Sequence, residues 1–296
     1  MTAGDTSALV GGPIKRCGGK GQNAPLLLPH FAPAAVYAEA FCGACSVFYR
    51  LPPGTYAREA INDRDASLVT FFRVLRDRPA DLQRVVDATP YARDEFIAAL
   101  VRSPDELEEA RRVWIRGRQG VAGYAVTPGN WGRDPGDIPS WGPSKTEAKR
   151  AALQTYAARL RGVCIDSIDG AEFIDKRARP STFIYCDPPY VAESRTGDCY
   201  EHEMTDADHR RLAVACHGAV GRGSKVAVSG YPSALYDELF AGWRVESINV
   251  PHYGTRAAKR QRRTECLWMS YPEAESFAGI AAAKAAARQP SLGGIL

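Results

Sequence analysis

One run of the chain combines an apolar strand pattern with groups that can hold a planar amine. The residues Ser181 to Tyr190 read Ser-Thr-Phe-Ile-Tyr-Cys-Asp-Pro-Pro-Tyr. Proline cannot continue a sheet ladder, and each proline favours extended geometry in the residue before it, so Asp187 is expected in a stiff turn at the strand's carboxyl end. Open α/β sheets bind ligands at such ends. A carboxylate, a prolyl carbonyl and a flat ring suit a planar base with an exocyclic amine.

The four residues Asp187, Pro188, Pro189 and Tyr190 allow two interpretations. One is an ordinary strand followed by a Pro-Pro turn, in which the acid caps a neighbouring element. The other follows from similarity: an apolar strand before Asp-Pro-Pro-Tyr resembles the catalytic motif of the Dam-type (alpha-type) S-adenosylmethionine-dependent DNA adenine-N6 methyltransferases. In that superfamily, Asn at the first position is typical of glutamine-modifying or RNA-modifying enzymes, and Ser of many cytosine-N4 enzymes. Asp187 therefore favours adenine.

The segment from Pro13 to Gln22 resembles the opening cofactor motif of the same family. Its Gly18-Gly19-Lys20 would close over the methionine part of S-adenosyl-L-methionine. A glycine pair lets the backbone approach a ligand, and a lysine can bind a carboxylate. Arg16 stands where the family usually has an aromatic residue, which leaves the packing of this wall open.

A second similar motif ends the first expected strand. Its members Glu39, Phe41, Gly43, Ala44 and Cys45 resemble the family's Glu-x-Phe-x-Gly-x-Gly cofactor loop. Cys45 replaces the second glycine of that loop. If this position requires positive φ, Cys45 costs on the order of 1 kcal/mol or more.

Two further acids fit the order of the family's cofactor motifs. Asp63 follows the second expected strand, where acids hold the ribose hydroxyls of nucleotide-like cofactors. By similarity, Asp169 with Gly170 would bind the adenine amine of the cofactor, with Ile168 or Phe173 as its apolar neighbour. Either acid alone is also a common helix cap.

Length and composition agree with one large α/β domain and an insertion. The 296 residues carry a net charge of +4, so a DNA-binding face must come from local clustering. No signal peptide and no apolar run of about 18 residues is visible, which predicts a cytoplasmic protein without membrane contact. Eight cysteines without such a signal indicate reduced core residues, and Cys42 and Cys45 lack the second pair of a zinc site. No metal is expected.

Alternating helical and strand patterns predict a mostly parallel, Rossmann-like methyltransferase sheet with an antiparallel edge hairpin and a helical insertion. Strands are expected at 36–41, 56–61, 162–165, 183–186, 225–229, 244–250 and 266–271. The expected organisation is a cofactor-binding part (13–78), a helical target-recognition insertion (79–161), a catalytic part (162–272) and a tail (273–296). Capping boxes at Ser103 and Ser144 predict helix starts in the insertion.

Two basic clusters are candidates for contacts with double-stranded DNA. The first lies in the insertion: Arg111, Arg112, Arg116 and Arg118. The second lies in the loop between the last two strands: Arg256, Lys259, Arg260, Arg262 and Arg263. Charge runs are often solvated surfaces, but five basic residues in eight beside the expected active-site edge favour phosphate binding. Aromatic residues of the insertion add surfaces that could stack on bases, although a core role is the simpler interpretation.

The sequence therefore predicts an adenine-N6 DNA methyltransferase that uses S-adenosyl-L-methionine, acts on a flipped-out base by direct in-line transfer, and implies no obligate protein partner. Two alternatives stay open at this point. A superfamily member that methylates cytosine-N4, RNA or protein amides shares these motifs. A degenerate module that occupies DNA without activity is compatible with the departures at Arg16 and Cys45.

Overall fold

Seven strands form one sheet in the order β3-β2-β1-β4-β5-β7-β6. The computed structural model describes residues 9, 11–16, 18–120, 131, 142–191, 203–251 and 262–288. The strands are β1 (Val36–Glu39), β2 (Arg58–Asn62), β3 (Cys164–Asp166), β4 (Thr182–Cys186), β5 (Lys225–Gly230), β6 (Arg244–Pro251) and β7 (Arg262–Met269). The first five pair in parallel, and β7 pairs antiparallel with both β5 and β6. The predicted parallel sheet with an antiparallel edge hairpin is confirmed.

Helices lie on both faces of this sheet. In chain order they are α1 (Ala24–Leu27), α2 (Ala66–Asp77), α3 (Pro79–Asp87), α4 (Arg93–Ala99), α5 (Glu106–Gln119), α6 (Gly142–Ala151), α7 (Leu153–Arg159), α8 (Gly170–Arg177), α9 (Asp206–Gly221), α10 (Ala234–Leu239) and α11 (Phe277–Arg288). Short 3₁₀ helices cover Leu28–His30, Phe48–Arg50 and Glu273–Glu275. None of the helices in the described part of the chain has the length and apolar character needed to cross a bilayer.

The central strand β4 is buried along its whole length, and its side chains contribute to two hydrophobic cores. Phe183 and Tyr185 point into one core, and Ile184 and Cys186 into the other, as the two-residue period of a strand requires. The second core is closed by α8, α9 and α10. Because both faces of the parallel strands are covered, their sequences are almost continuously apolar.

The helical segment between β2 and β3 shares the first core with the sheet. Phe72 of α2, Trp114 of α5 and Tyr156 of α7 are buried in the same cluster as Phe183. Helix α2 begins at the cap Asp65, whose carboxylate accepts from the backbone N–H groups of residues 67 and 68. The described residues of the insertion therefore pack as part of the domain.

Two helix starts differ from the sequence prediction. Asp105, and not Ser103, caps α5, because its carboxylate accepts from the N–H of Glu108 at 2.8 Å while the Ser103 hydroxyl holds the N–H of Asp105. Helix α6 begins at Gly142, two residues before the expected cap Ser144. Capping boxes specify a start only to within a few residues when several polar residues are adjacent.

Candidate active site

A cavity of about 380 Å³ opens where the strand order reverses, between the carboxyl ends of β1 and β4. This reversal is the usual ligand site of open parallel sheets. Predicted residues from five separate segments line the cavity: Gly18, Gly19, Lys20, Glu39, Phe41, Gly43, Ala44, Asp63, Asp169, Gly170, Asp187 and Pro189. Cys45, Pro188 and Tyr190 lie directly beside these lining residues in the chain. The fold thus brings together motifs that are up to about 170 residues apart in sequence.

The loop after β1 is shaped by two residues in the left-handed region. Gly43 has φ of 48° and Cys45 has φ of 53°. The side chain of Cys45 is fully buried in the first core, which holds the strained backbone in place. The positive φ considered for Cys45 in the sequence is therefore present, and its cost is on the order of 1 kcal/mol.

Asp63 ties this loop to the end of β2. Its two carboxylate oxygens accept from the N–H of Gly43 and the N–H of Asp65, each at 2.9 Å. Burial raises the pKa of Asp63, and the two backbone hydrogen bonds oppose that rise. A carboxylate has about four acceptor positions, so Asp63 keeps capacity for a hydroxyl donor in the cavity.

Arg16 occupies the rim of the cavity in the place where an aromatic residue was expected. Its guanidinium donates to Asp65 at 2.8 Å, and Arg102 approaches the other oxygen of Asp65 at 3.5 Å. Nearby, the backbone of Gly12 lies against the carbonyl of Ala44, leaving no room for a Cβ atom. This wall is therefore built by an ion pair and a close backbone contact.

Asp169 caps the N-terminus of α8 and forms an ion pair with Arg211. Its carboxylate accepts from the N–H of Ala171 at 3.0 Å and from both terminal nitrogens of Arg211 at 2.9 and 2.8 Å. Burial acts to raise the pKa of Asp169, but the hydrogen bonds from Arg211 and the helix N-terminus lower it overall. The structure thus shows the capping role, and the acid also lines the cavity.

The apolar neighbours of Asp169 differ from those expected. Phe173 is fully buried in the second core, and neither Phe173 nor Ile168 lines the cavity. The ring of Phe41 lies there instead, so close to Gly170 that a Cβ atom would sit 2.3 Å from its Cζ. The reason is geometric: residue 173 points inward on α8, whereas the loop after β1 projects over its first turn.

Asp187 extends into the cavity from the end of β4 and is held by two donors. The Ser229 hydroxyl donates to its Oδ1 at 2.9 Å, and the Lys20 ammonium approaches the same oxygen at 2.9 Å. Lys20 was expected to bind the carboxylate of a cofactor. The structure places its ammonium on Asp187, with Glu265 at 3.4 Å and the Tyr190 hydroxyl in direct contact, because a buried cation requires charged partners.

Tyr190 lies against the same group of charges. Its hydroxyl donates to Glu265, and its ring makes an edge contact with Tyr231 at 4.5 Å between centroids. The aromatic residue of the motif is therefore fixed at both ends.

Glu39 is a second buried acid in the cavity wall. The Tyr37 hydroxyl donates to its Oε2 at 2.7 Å. Burial raises the pKa of Glu39 to about 8, partly opposed by that hydrogen bond and supported by the nearby Asp187. This raised pKa favours the protonated form of Glu39.

Glu265 is a site residue that the motifs missed. It lies on β7, one residue before the strand expected at 266–271, and the register opposite Ile248 turns its side chain toward Asp187. A charged residue at the start of an apolar strand is a signal, but it does not reveal its partners. Only the pairing of β7 beside β5 brings it to Lys20.

The arginines predicted to contact DNA are engaged within the helical segment. Arg111 binds Glu108 and Glu95, both at 2.7 Å, and Arg112 binds Glu108 at 2.8 Å. Arg116 binds Glu109 at 2.8 Å and lines the cavity beside Arg102. Burial lowers the pKa of Arg118 to about 10.

The second basic cluster lies mostly outside the described residues. Arg256, Lys259 and Arg260 fall in the undescribed loop, and only the backbone of Arg262 and Arg263 is described, as the start of β7. Among the aromatic residues of the insertion, Trp114 is a core residue, which confirms the simpler interpretation for that ring.

A model of the D12 class N6 adenine-specific DNA methyltransferases matches residues 17–114 and 142–253, so it includes much of the helical segment that the sequence motifs did not cover. The Type II methyltransferase M1.LlaDCHI of Lactococcus lactis subsp. cremoris is 26% identical over 279 residues, which are 87% of this chain and 94% of that protein. The crystal structure of a precorrin 8W decarboxylase from Methanobacterium thermoautotrophicum aligns with a TM-score of 0.37 at 10% identity, over 85% of this chain and 90% of that one.

Proposed function

Because this chain belongs to the D12 class N6 adenine-specific DNA methyltransferase family, we propose that it methylates adenine in double-stranded DNA. The methyl group would pass from S-adenosyl-L-methionine to the N6 amine of the base. One observation carries this proposal. The Asp187 carboxylate projects into a cavity at the reversal point of the sheet, together with the other motif residues.

The cavity fits the proposed cofactor in size and donor set. A volume of about 380 Å³ suits a small nucleoside-like ligand. Asp63 would hold the ribose hydroxyls, and Asp169 the adenine amine, with the Phe41 ring as an apolar neighbour. When bound, S-adenosyl-L-methionine supplies a methyl group on a positively charged sulfur. Lys20 is paired with Asp187. The methionine carboxylate would therefore bind the backbone of Gly18 and Gly19, or the rim arginines Arg16 and Arg102.

The chemistry of the chain's own residues follows from the position of Asp187. Its carboxylate and the Pro188 carbonyl would accept hydrogen bonds from the two N–H groups of the target amine. These hydrogen bonds hold the nitrogen lone pair toward the methyl group, and alignment of this kind supplies much of the rate. Direct transfer requires no covalent enzyme intermediate.

The target base must leave the duplex to reach this cavity. Flipping costs a few kcal/mol. Stacking on an aromatic ring returns about 1 to 3 kcal/mol. The proposed partner is Tyr190, which is 6% exposed beside the cavity and is held by Glu265 and Tyr231. The hairpin loop between β6 and β7 and the helical segment 79–161 would hold the flanking DNA, the second of these reading the sequence.

The experiment is a methylation assay with product identification. Unmethylated plasmid DNA is incubated with the protein and S-adenosyl-L-methionine, digested to nucleosides, and analysed by mass spectrometry. We expect N6-methyl-2′-deoxyadenosine, strongly reduced with the Asp187→Ala variant. N4-methyl-2′-deoxycytidine would overturn the base assignment. Calorimetric titration with S-adenosyl-L-methionine covers the remaining case: a protein that binds DNA but neither binds this cofactor nor yields product would be a DNA-occupying module.

A further inference from the structure

Glu265 is a buried charged side chain that belongs to none of the recognised motifs. Its side chain is 3% exposed, it accepts from the Tyr190 hydroxyl, and it lies 3.4 Å from the Lys20 ammonium. A carboxylate in such a position is retained only when its charge is paired and its oxygens are hydrogen-bonded. Lys20 and Tyr190 meet both conditions. Lys20 also contacts Asp187, so Asp187, Lys20 and Glu265 form one cluster of charges.

The net charge of this cluster depends on Glu265. Lys20 contacts Asp187 at 2.9 Å, and its own side chain is 4% exposed. With Lys20 and Asp187 alone, the pair is neutral, and the ammonium would weaken the attraction of Asp187 for any cation in the cavity. Burial raises the pKa of Glu265, and the Lys20 ammonium beside it opposes that rise. When ionised, Glu265 adds a second negative charge, so the three groups together carry one.

The proposed reaction keeps a positive charge in the cavity throughout. A bond forms between N6 of adenine and the methyl carbon, while the carbon–sulfur bond breaks and its electron pair stays on sulfur. The positive charge moves from sulfur to the amine nitrogen, which then loses one proton to the adjacent Asp187 carboxylate and finally to solvent. An unneutralised Lys20 would oppose each of these states.

We propose that Glu265 is a positioning residue of the methyl-transfer site, which takes up the charge of Lys20 and so leaves Asp187 negative toward the sulfonium and the target amine. This inference rests on the proposed function and deepens it. Through the Tyr190 hydroxyl, Glu265 also fixes the ring beside which the base is placed.

The test separates a charge effect from a structural one. S-adenosylmethionine carries the sulfonium charge, and S-adenosylhomocysteine, the same molecule without the methyl group, does not. Calorimetry at mildly alkaline pH gives the ratio of the two affinities. For Glu265→Gln, which keeps the shape and removes the charge, we expect this ratio to fall roughly tenfold, together with the single-turnover rate. Glu265→Asp, which keeps the charge, should retain most of the ratio.

The double variant Lys20→Met/Glu265→Gln provides the decisive comparison. Removing both charges restores the negative balance of Asp187, so the ratio should return to within about threefold of the wild type, a coupling that independent losses cannot produce. Glu59→Gln is the matched control, because it breaks the buried Glu59–Arg159 ion pair outside the cavity. It should leave the ratio unchanged.

The outcomes distinguish this inference from the proposed function. If the wild type methylates adenine and Glu265→Gln keeps both the affinity ratio and the rate, the role of Glu265 is overturned and the function stands. The same holds if both ligands weaken equally, since that pattern marks a purely structural role. If the wild type binds neither ligand, the proposed function fails, and this inference fails with it. Thermal unfolding of each variant confirms that it is folded.

Discussion

Two groups of charged residues, one at the end of β4 and one on α5, show how burial separates a chemical site from a surface. At the first, Lys20 and Glu265 have side chains that are 4% and 3% exposed, and the Lys20 ammonium contacts both Glu265 and Asp187. On α5, Arg111, Arg112 and their shared partner Glu108 are 19%, 23% and 30% exposed. Both groups pair basic side chains with carboxylates, but they differ in solvent exposure.

This difference in solvent access sets what each group can do. Removing one partner of a buried ion pair costs about 3 to 5 kcal/mol, whereas an exposed pair contributes about 0 to 1 kcal/mol. The buried charges therefore act strongly on a ligand in the cavity, and replacing any one of them is costly. The pairs on α5 can exchange one anionic partner for another at lower cost. The predictions below test this division, beginning with the buried region.

Asp187→Ala should lose methyl transfer by roughly 10² to 10⁴-fold in single-turnover assays, because the target amine loses its acceptor. The variant should still bind S-adenosylmethionine and DNA, but its affinity for S-adenosylmethionine relative to S-adenosylhomocysteine should fall as for Glu265→Gln, because the cavity loses one negative charge. Asp63→Ala should show the reverse and lower the affinity for the cofactor before the transfer rate. Two backbone N–H groups of the pocket lose their acceptor in this variant. Substantial methylation by Asp187→Ala at saturating cofactor and DNA would end the catalytic assignment.

Gly12→Ala should lower the free energy of unfolding by about 3 kcal/mol, the upper end for overpacking. A Cβ atom at Gly12 would sit 1.8 Å from the backbone oxygen of Ala44, so the cavity wall itself must move. Gly221→Ala, at the end of α9, is the control, because no atom lies within 4 Å of its Cβ position. Equal denaturant midpoints for the two variants would show that the wall yields easily.

Glu39→Gln should flatten the dependence of stability on pH. A carboxyl whose pKa is raised on folding binds its proton more tightly in the folded state, so its contribution is full below the unfolded value and is lost as pH rises. For Glu39 this window runs from 4.5 to about 8. Each pKa unit corresponds to about 1.4 kcal/mol, which gives a loss on the order of a few kcal/mol. Urea unfolding at several pH values measures it, and parallel curves would refute the assignment.

Replacing Arg260, Arg262 and Arg263 together by Ala should flatten the salt dependence of DNA binding. Each lost phosphate contact reduces the slope of log affinity against log salt by about 0.9. Fluorescence anisotropy over a salt series gives this slope. An unchanged value would place the hairpin loop away from DNA.

Arg112→Ala should have the smallest effect on stability, with a loss of about 1 kcal/mol, because Arg112 and Glu108 are only half-buried. If α5 also contacts phosphates, the salt slope should fall by about 0.9 in the same variant. Arg116→Ala provides a contrast on the same helix, because it would leave the buried Glu109 without its ion-pair partner. A loss of stability at Arg112 as large as that at Arg116 would remove the distinction between exposed and buried pairs.

The sequence predicted the positions of the motifs well, and the reason is topological. Parallel strands place all their carboxyl ends at one edge, so Glu39, Asp63 and Asp187 had to lie near one another once their strands were assigned. The edge hairpin followed from the absence of a helical pattern between the last two strands. Residue periodicity is sufficient for this level of structure.

Partners of side chains could not be predicted in the same way. Whether Lys20 reaches a ligand or Asp187 depends on distances between elements that are 167 residues apart. Glu265 depends on the register of β7, and Arg16 on the cap of α2. The roles of the cofactor and DNA residues, and of residues 79–161 in target recognition, stay predictions that the experiments above address.

The shared core of the helical segment limits how new specificities can arise in this protein. Helices α2, α5 and α7 bury Phe72, Trp114 and Tyr156 in one cluster with Phe183 of the sheet. Grafting the corresponding helices from a relative would leave mismatched volumes against β4, so a working chimera must carry both sides of the contact. On the proposed recognition role of residues 79–161, changes of target sequence are thus easier to obtain by substitutions on the outer surface of this segment than by exchange of the whole segment.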